Sequence, residues 1–226
     1  ALPRVANPMM NATDHRAPPA REPRGRPAEQ VPLCVDLDGT LLAGDSLYEL
    51  LFAGLRRSPA LVFLVLLWIW QGKAVFKAKL ADAVDPSGLA YRFHDGVLAY
   101  LAAARAEGRR IVLATAAHRR VAEAIAAELG LFDEVIATED GRNLRGAAKA
   151  AELVARYGQG GFDYAGNDRH DLPVWAVARR AIVVASGRST IAAAAERVAT
   201  VERVFPVAGF APRPLFKAMR LHQWAK

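Results

Sequence analysis

The distribution of apolar and polar residues changes character several times along the 226-residue chain. Residues 1–30 hold six prolines and little apolar content, so they read as a disordered arm. Structure starts at Val31. The short apolar run Val31–Val35 predicts a buried strand followed by a tight loop, Asp36-Leu37-Asp38-Gly39-Thr40. Asp45 or Ser46 then caps a helix through about Leu55. Two helices follow in residues 59–84: Pro59 suits a first turn, Leu61–Trp70 is apolar on every side, and Gly72–Ala83 carries Lys73, Lys77 and Lys79. Beyond that the pattern alternates. Helices over Asp95–Ala106, Arg119–Leu129, Ala147–Tyr157 and Leu172–Arg179 interleave with strands over Arg110–Thr115, Glu134–Ala137, Phe162–Ala165 and Ala181–Val184. Strand and helix at this spacing mean an α/β domain, a parallel sheet with helices on both faces.

Composition narrows the picture. Apolar residues make up 53% of the chain, enough for a sizeable core. There is no apolar run of 18 residues, so no segment is long enough to cross a membrane unaided. One cysteine, Cys34, excludes an internal disulfide framework and a Cys-based zinc site. With no apolar leader segment at the start, a reduced, cytosol-facing location is the default expectation. The net charge of +7 is uneven: residues 1–30 carry +2, residues 213–226 carry +4, and the 182 between carry +1. A near-neutral domain argues against a nucleic-acid face, whereas basic ends suit an anionic membrane surface. Leu61–Trp70, too short to span a bilayer, suits either core burial or an interfacial or ligand-facing role. The chain reads as a piece of a longer protein.

Four segments carry chemistry. Asp36 and Asp38 lie two residues apart at the end of a buried strand, where alternation points both the same way. Like charges that close need a cation or donor to coexist. This suits one carboxylate as nucleophile and the other as general acid/base, with a magnesium ion holding the charge. Gly39 permits a sharp turn that brings backbone N–H groups to an anion. Thr115 ends an apolar strand, Ile111-Val112-Leu113-Ala114-Thr115, and can hydrogen-bond a phosphate oxygen. His118 follows closely and reads as an ordinary polar residue at the next helix start. Lys149 stands near a helix start, where the dipole disfavours a cation; it is either a site residue or a solvated surface lysine. Finally, Gly166-Asn167-Asp168-Arg169-His170-Asp171 follows a strand with oxygen donors suited to a hard cation. All these loops leave one edge of the sheet, the edge where open α/β sheets bind ligands.

Together these residues resemble the four motifs, in order, of the haloacid dehalogenase superfamily in its phosphatase branch, over about residues 31–205. The resemblance implies a Rossmann-like sheet with a small helical cap inserted after the first strand, about residues 44–98. It implies Asp36 as the nucleophile forming an aspartyl-phosphate, and Asp38 as general acid/base with its backbone carbonyl on magnesium. Thr115 and Lys149 would hold the phosphoryl group, and Asp171 would complete the metal site, directly or through water. The fourth motif usually begins Gly-Asp. Here it is Gly166-Asn167, which offers an oxygen without charge, and Asp168 is a possible substitute. Residues Pro214–Lys226, with Leu221-His222-Gln223-Trp224-Ala225-Lys226, resemble the opening of UbiA-type prenyltransferases, in the group like decaprenyl-phosphate phosphoribosyltransferases. That family includes fusions with a haloacid-dehalogenase-like domain ahead of membrane helices, so 206–226 reads as a linker and the start of such a domain. The expected protein is then a magnesium-dependent phosphomonoesterase acting on a phosphorylated small molecule or lipid-linked sugar phosphate at the cytoplasmic face of a membrane. The alternative is a catalytically silent module that positions or regulates the membrane domain.

Overall fold

The computed structural model describes residues 31–139, 143–186 and 189–207. The arm before Val31 and the prenyltransferase-like segment lie outside them. Six strands form one sheet: β1 (Leu33–Val35), β2 (Ile111–His118), β3 (Glu134–Thr138), β4 (Asp163–Gly166), β5 (Arg180–Val184) and β6 (Val201–Phe205). Every pairing is parallel and the order is β3-β2-β1-β4-β5-β6. The chain winds outward one way from β1 and then returns to start again at β4. The crevice between β1 and β4 is the topological switch point, open at the carboxyl ends of the strands.

All three residues of β1 are fully buried, which is why its sequence is a continuous apolar run rather than an alternating one. Its odd and even positions feed two cores. Leu33 and Val35 belong to the one that includes Val97 and Leu101, and Cys34 to the one holding Phe162, Tyr164 and Trp175.

Helices α1 (Ser46–Arg57), α2 (Leu61–Trp70) and α3 (Lys73–Ala83) form the insert after β1, and α4 (Asp95–Ala106) returns the chain to the sheet beside β2. The insert leaves and re-enters along neighbouring stretches of chain: Ala43 N–H donates to the Arg92 carbonyl and His94 N–H to the Leu41 carbonyl, both at 2.8 Å. Asp45 is the N-cap of α1, its carboxylate accepting from Leu47 N–H at 2.9 Å. The remaining helices are α5 (Arg119–Leu129), α6 (Ala147–Tyr157), α7 (Leu172–Trp175) and α8 (Thr190–Glu196).

Two expectations need correction. The helix predicted over Leu172–Arg179 is regular only to Trp175. The chain then turns so that Arg179 can reach Asp163, the first residue of β4. Arg179 Nε and Nη2 donate to the two Asp163 oxygens at 2.9 and 2.6 Å, and Arg109 also pairs with this carboxylate. The Asp163 side chain is 0% exposed. The strand predicted to end at Thr115 continues, with an irregularity, to His118. Helix α8 and strand β6 have no counterpart in the sequence pattern: β6 is an edge strand in which only Phe205 is buried, so it lacks an apolar signature.

Cys34 is fully buried in β1, and burial pushes its thiol far above the ordinary range. An aromatic disulfide reagent should therefore label native protein no faster than the protein unfolds, and one thiol per chain in denaturant. Rapid labelling of the native protein would contradict this packing.

Candidate active site

The Asp-Leu-Asp-Gly-Thr loop leaves β1 at the switch point. Gly39 adopts φ +74°, and a Cβ there would lie 2.1 Å from the Asn167 amide nitrogen, so glycine is required both by conformation and by the approach of the loop after β4. Thr40, fully buried, donates to Asn167 Oδ1 at 3.2 Å and ties the two loops together.

Lys149 enters from the first turn of α6. It is only 3% exposed, which excludes the solvated-lysine reading. Its ammonium donates to Asp36 Oδ1 at 2.7 Å and to the Tyr164 hydroxyl at 2.8 Å. The hydroxyl in turn donates to Asp171 Oδ1 at 2.8 Å. Asp171 Oδ2 accepts the backbone N–H groups of Asn167 at 2.8 Å and Asp168 at 3.1 Å, which fixes the loop after β4. A buried ion pair survives only when its remaining hydrogen-bonding capacity is met, and this chain of contacts meets it. Tyr164 is the member that sequence reasoning misses. A tyrosine in a buried strand reads as core, and only the tertiary structure sets its hydroxyl between Lys149 and Asp171.

Asp38 accepts the Ser46 N–H at 2.7 Å, so it holds the start of the insert's first helix. Burial pushes the Asp38 carboxyl up, with the Ser46 N–H opposing. Burial also pushes Asp36 up to about 7; the Lys149 charge opposes this and the Asp171 charge adds to it. Thr115 is buried at the end of the apolar part of β2, its hydroxyl accepting from Ala117 N–H at 3.0 Å. Asp168 accepts from His170 N–H at 2.6 Å and lies 3.8 Å from Arg145. His118 caps α5 through its ring nitrogen, accepting from Arg120 N–H at 3.4 Å.

One cavity of about 1200 Å³ gathers every predicted site residue: Asp36, Asp38, Gly39, Thr115, Lys149, Asn167, Asp168 and Asp171 all line it. Lys77 of α3 lines it from the insert and donates to the Ala116 carbonyl at 3.2 Å. No sequence signal separates Lys77 from its neighbours Lys73 and Lys79.

Among the described residues no group of three His, Cys, Asp or Glu side chains is gathered to hold a metal ion. Asp171 is engaged with Tyr164 and two backbone amides, and position 167 carries an amide in place of a carboxylate. The charge balance nevertheless favours a cation. Asp36, Asp38 and Asp171 share the cavity with the buried Lys149, and burial is the main cause of the raised proton affinity of Asp36 and Asp38. Oxygen donors of this type fit a hard dication such as magnesium.

The haloacid dehalogenase-like hydrolase family model matches residues 33–176. An uncharacterized protein, y4nM, of Sinorhizobium fredii is 33% identical over 199 residues; the match covers 87% of this chain, and the chain spans 38% of that protein. Among solved structures, a predicted phosphoglycolate phosphatase from Haemophilus somnus 129pt superposes with a TM-score of 0.52 at 18% identity, over 84% of this chain and 98% of that one. Phosphoserine phosphatase in its apo form gives a TM-score of 0.52 at 13% identity, over 83% of this chain and 98% of that one. At these identities the solved structures establish the fold, while the family model covers more than half of the sequence. The chain belongs to the haloacid dehalogenase-like hydrolase family.

Proposed function

We propose that this domain is a magnesium-dependent phosphomonoesterase. The observation that carries the reading is the buried Lys149 ammonium 2.7 Å from Asp36 in a cavity that also holds Thr115 and Asp38. Asp36 attacks phosphorus in line, forming a P–O bond as the ester oxygen leaves with the bonding pair. Asp38, whose raised proton affinity suits a general acid, gives its proton to that oxygen. Asp38 then takes a proton from water, the water oxygen attacks phosphorus, and the bond to Asp36 breaks to release inorganic phosphate. Lys149 and Thr115 hold the phosphoryl oxygens throughout. Asp36, the Asp38 carbonyl and the Asn167 amide oxygen would hold magnesium, with Asp168 and Asp171 behind them, and the ion would supply positive charge to the phosphoryl group.

The substrate class in this reading is a phosphorylated small molecule or lipid-linked sugar phosphate, met at the cytoplasmic face of a membrane. The resemblance of Pro214–Lys226 to UbiA-type prenyltransferases supports a further reading, that the domain is fused to such a membrane enzyme. A second reading is a silent module that positions its partner domain, and Asn167 favours it.

The test is phosphate release from p-nitrophenyl phosphate with and without magnesium, for wild type and Asp36→Asn. Magnesium-stimulated release by wild type alone is expected, together with a magnesium-dependent rise in melting temperature. If both proteins are inert on aryl and lipid-linked phosphates, the silent reading replaces this one.

A further inference from the structure

Helix α2 contains no polar residue. Leu61, Val65 and Trp68 turn inward, and Trp68 is thereby a core residue of the insert. The others are exposed, with Phe63 at 74%, Leu66 at 61% and Trp70 at 86%. Tyr48 and Phe52 of α1 are exposed as well. At about 100° per residue the exposed positions sweep roughly 220° of the helix circumference. A contiguous apolar surface of this kind marks an interaction site. A protein groove receives a stripe of about 100°, whereas a fluid apolar medium can wrap three sides of a helix.

Charge points the same way. Residues 44–94 carry Arg56, Arg57, Lys73, Lys77, Lys79 and Arg92 against Asp45, Glu49, Asp82 and Asp85, a small basic excess. Arg56 and Arg57 are exposed just before α2, and Lys79, also exposed, lies beyond its other end, 3.0 Å from Gln71 Oε1. Cations at both ends of an apolar helix match anionic headgroups above an apolar layer. At about 1.5 Å per residue α2 is roughly 15 Å long, half of the ~30 Å hydrocarbon core. No described helix is long and apolar enough to cross a membrane. The arrangement is that of a helix lying in the interface.

We infer that α2 seats this protein on the surface of an anionic lipid bilayer. Ile69 and Tyr48 belong to this exposed face and also line the catalytic cavity. The mouth of the cavity therefore opens beside the bilayer. On the phosphatase reading above, the substrate class is an amphiphilic phosphate ester whose apolar chain stays in the membrane while its phosphate reaches Thr115 and Lys149.

The experiment is flotation of the full chain with vesicles of phosphatidylcholine containing about 30% phosphatidylglycerol, and with phosphatidylcholine alone. Wild type should float with the anionic vesicles and less with the neutral ones. Phe63→Glu/Trp70→Glu should lower the bound fraction at least about tenfold, with p-nitrophenyl phosphate hydrolysis within about twofold of wild type. Wild type remaining in the soluble fraction, or equal flotation of the variant, overturns the inference. So does a wild-type dimer that the variant converts to monomer without any flotation, since a second copy then covers α2. Intact flotation by a protein inert on every phosphate retires the phosphatase reading alone.

Discussion

Asp36→Asn is expected to lower magnesium-stimulated phosphate release by about 10⁴-fold or more, because the amide cannot act as the nucleophile. The substitution is nearly isosteric. Burial disfavours the Asp36 charge, and the asparagine oxygen can still accept from Lys149, so the melting temperature should fall by less than in Lys149→Met. Activity and stability thus separate, which a folding defect would not allow. Lys149→Met is a sharper companion. It removes a phosphoryl donor, with an expected loss of about 10²–10³-fold. It also leaves Asp36 and Asp171 buried without their cation, so its melting temperature should fall. Full turnover in Asp36→Asn, measured by single-turnover phosphate release, would remove the nucleophile assignment.

The largest stability effect belongs to the opposite edge of the sheet. Asp163→Ala should cost about 3–5 kcal/mol, because Arg109 and Arg179 lose the buried carboxylate that both engage. For a domain of this size that is roughly a 6–20 °C fall in melting temperature, read by calorimetry. Asp163 does not line the catalytic cavity, so the folded fraction should keep its catalytic constants. A loss below about 1 kcal/mol would show that the two arginines find other partners.

Much of this architecture is legible in the sequence because parallel strands buried on both faces are written as apolar runs, as in Leu33–Val35 and Ile111–Thr115. The loops that follow β1 and β4, and the end of the apolar part of β2, carry the polar residues of the site, so Asp36, Asp38, Asn167 and Thr115 stand out. Lys149 stays ambiguous because a helix-start lysine looks the same whether it faces water or a carboxylate. Tyr164 is hidden for the converse reason: its ring belongs to the core and only its hydroxyl to the site. Strand β6 is hidden because Glu202, Arg203 and Val204 are exposed on the sheet edge. Within Leu61–Trp70 the core reading holds for Leu61, Val65 and Trp68, while the remaining positions are exposed.

The Asp38 oxygen that accepts from Ser46 N–H is also the root of the insert's first helix. If that helix swings away, the carboxylate loses a donor that favours its charged form. On the proposed mechanism the anchor of the insert and the proton carrier would then share a single atom, and any movement of that helix would reach the proton-handling carboxylate with no relay between them.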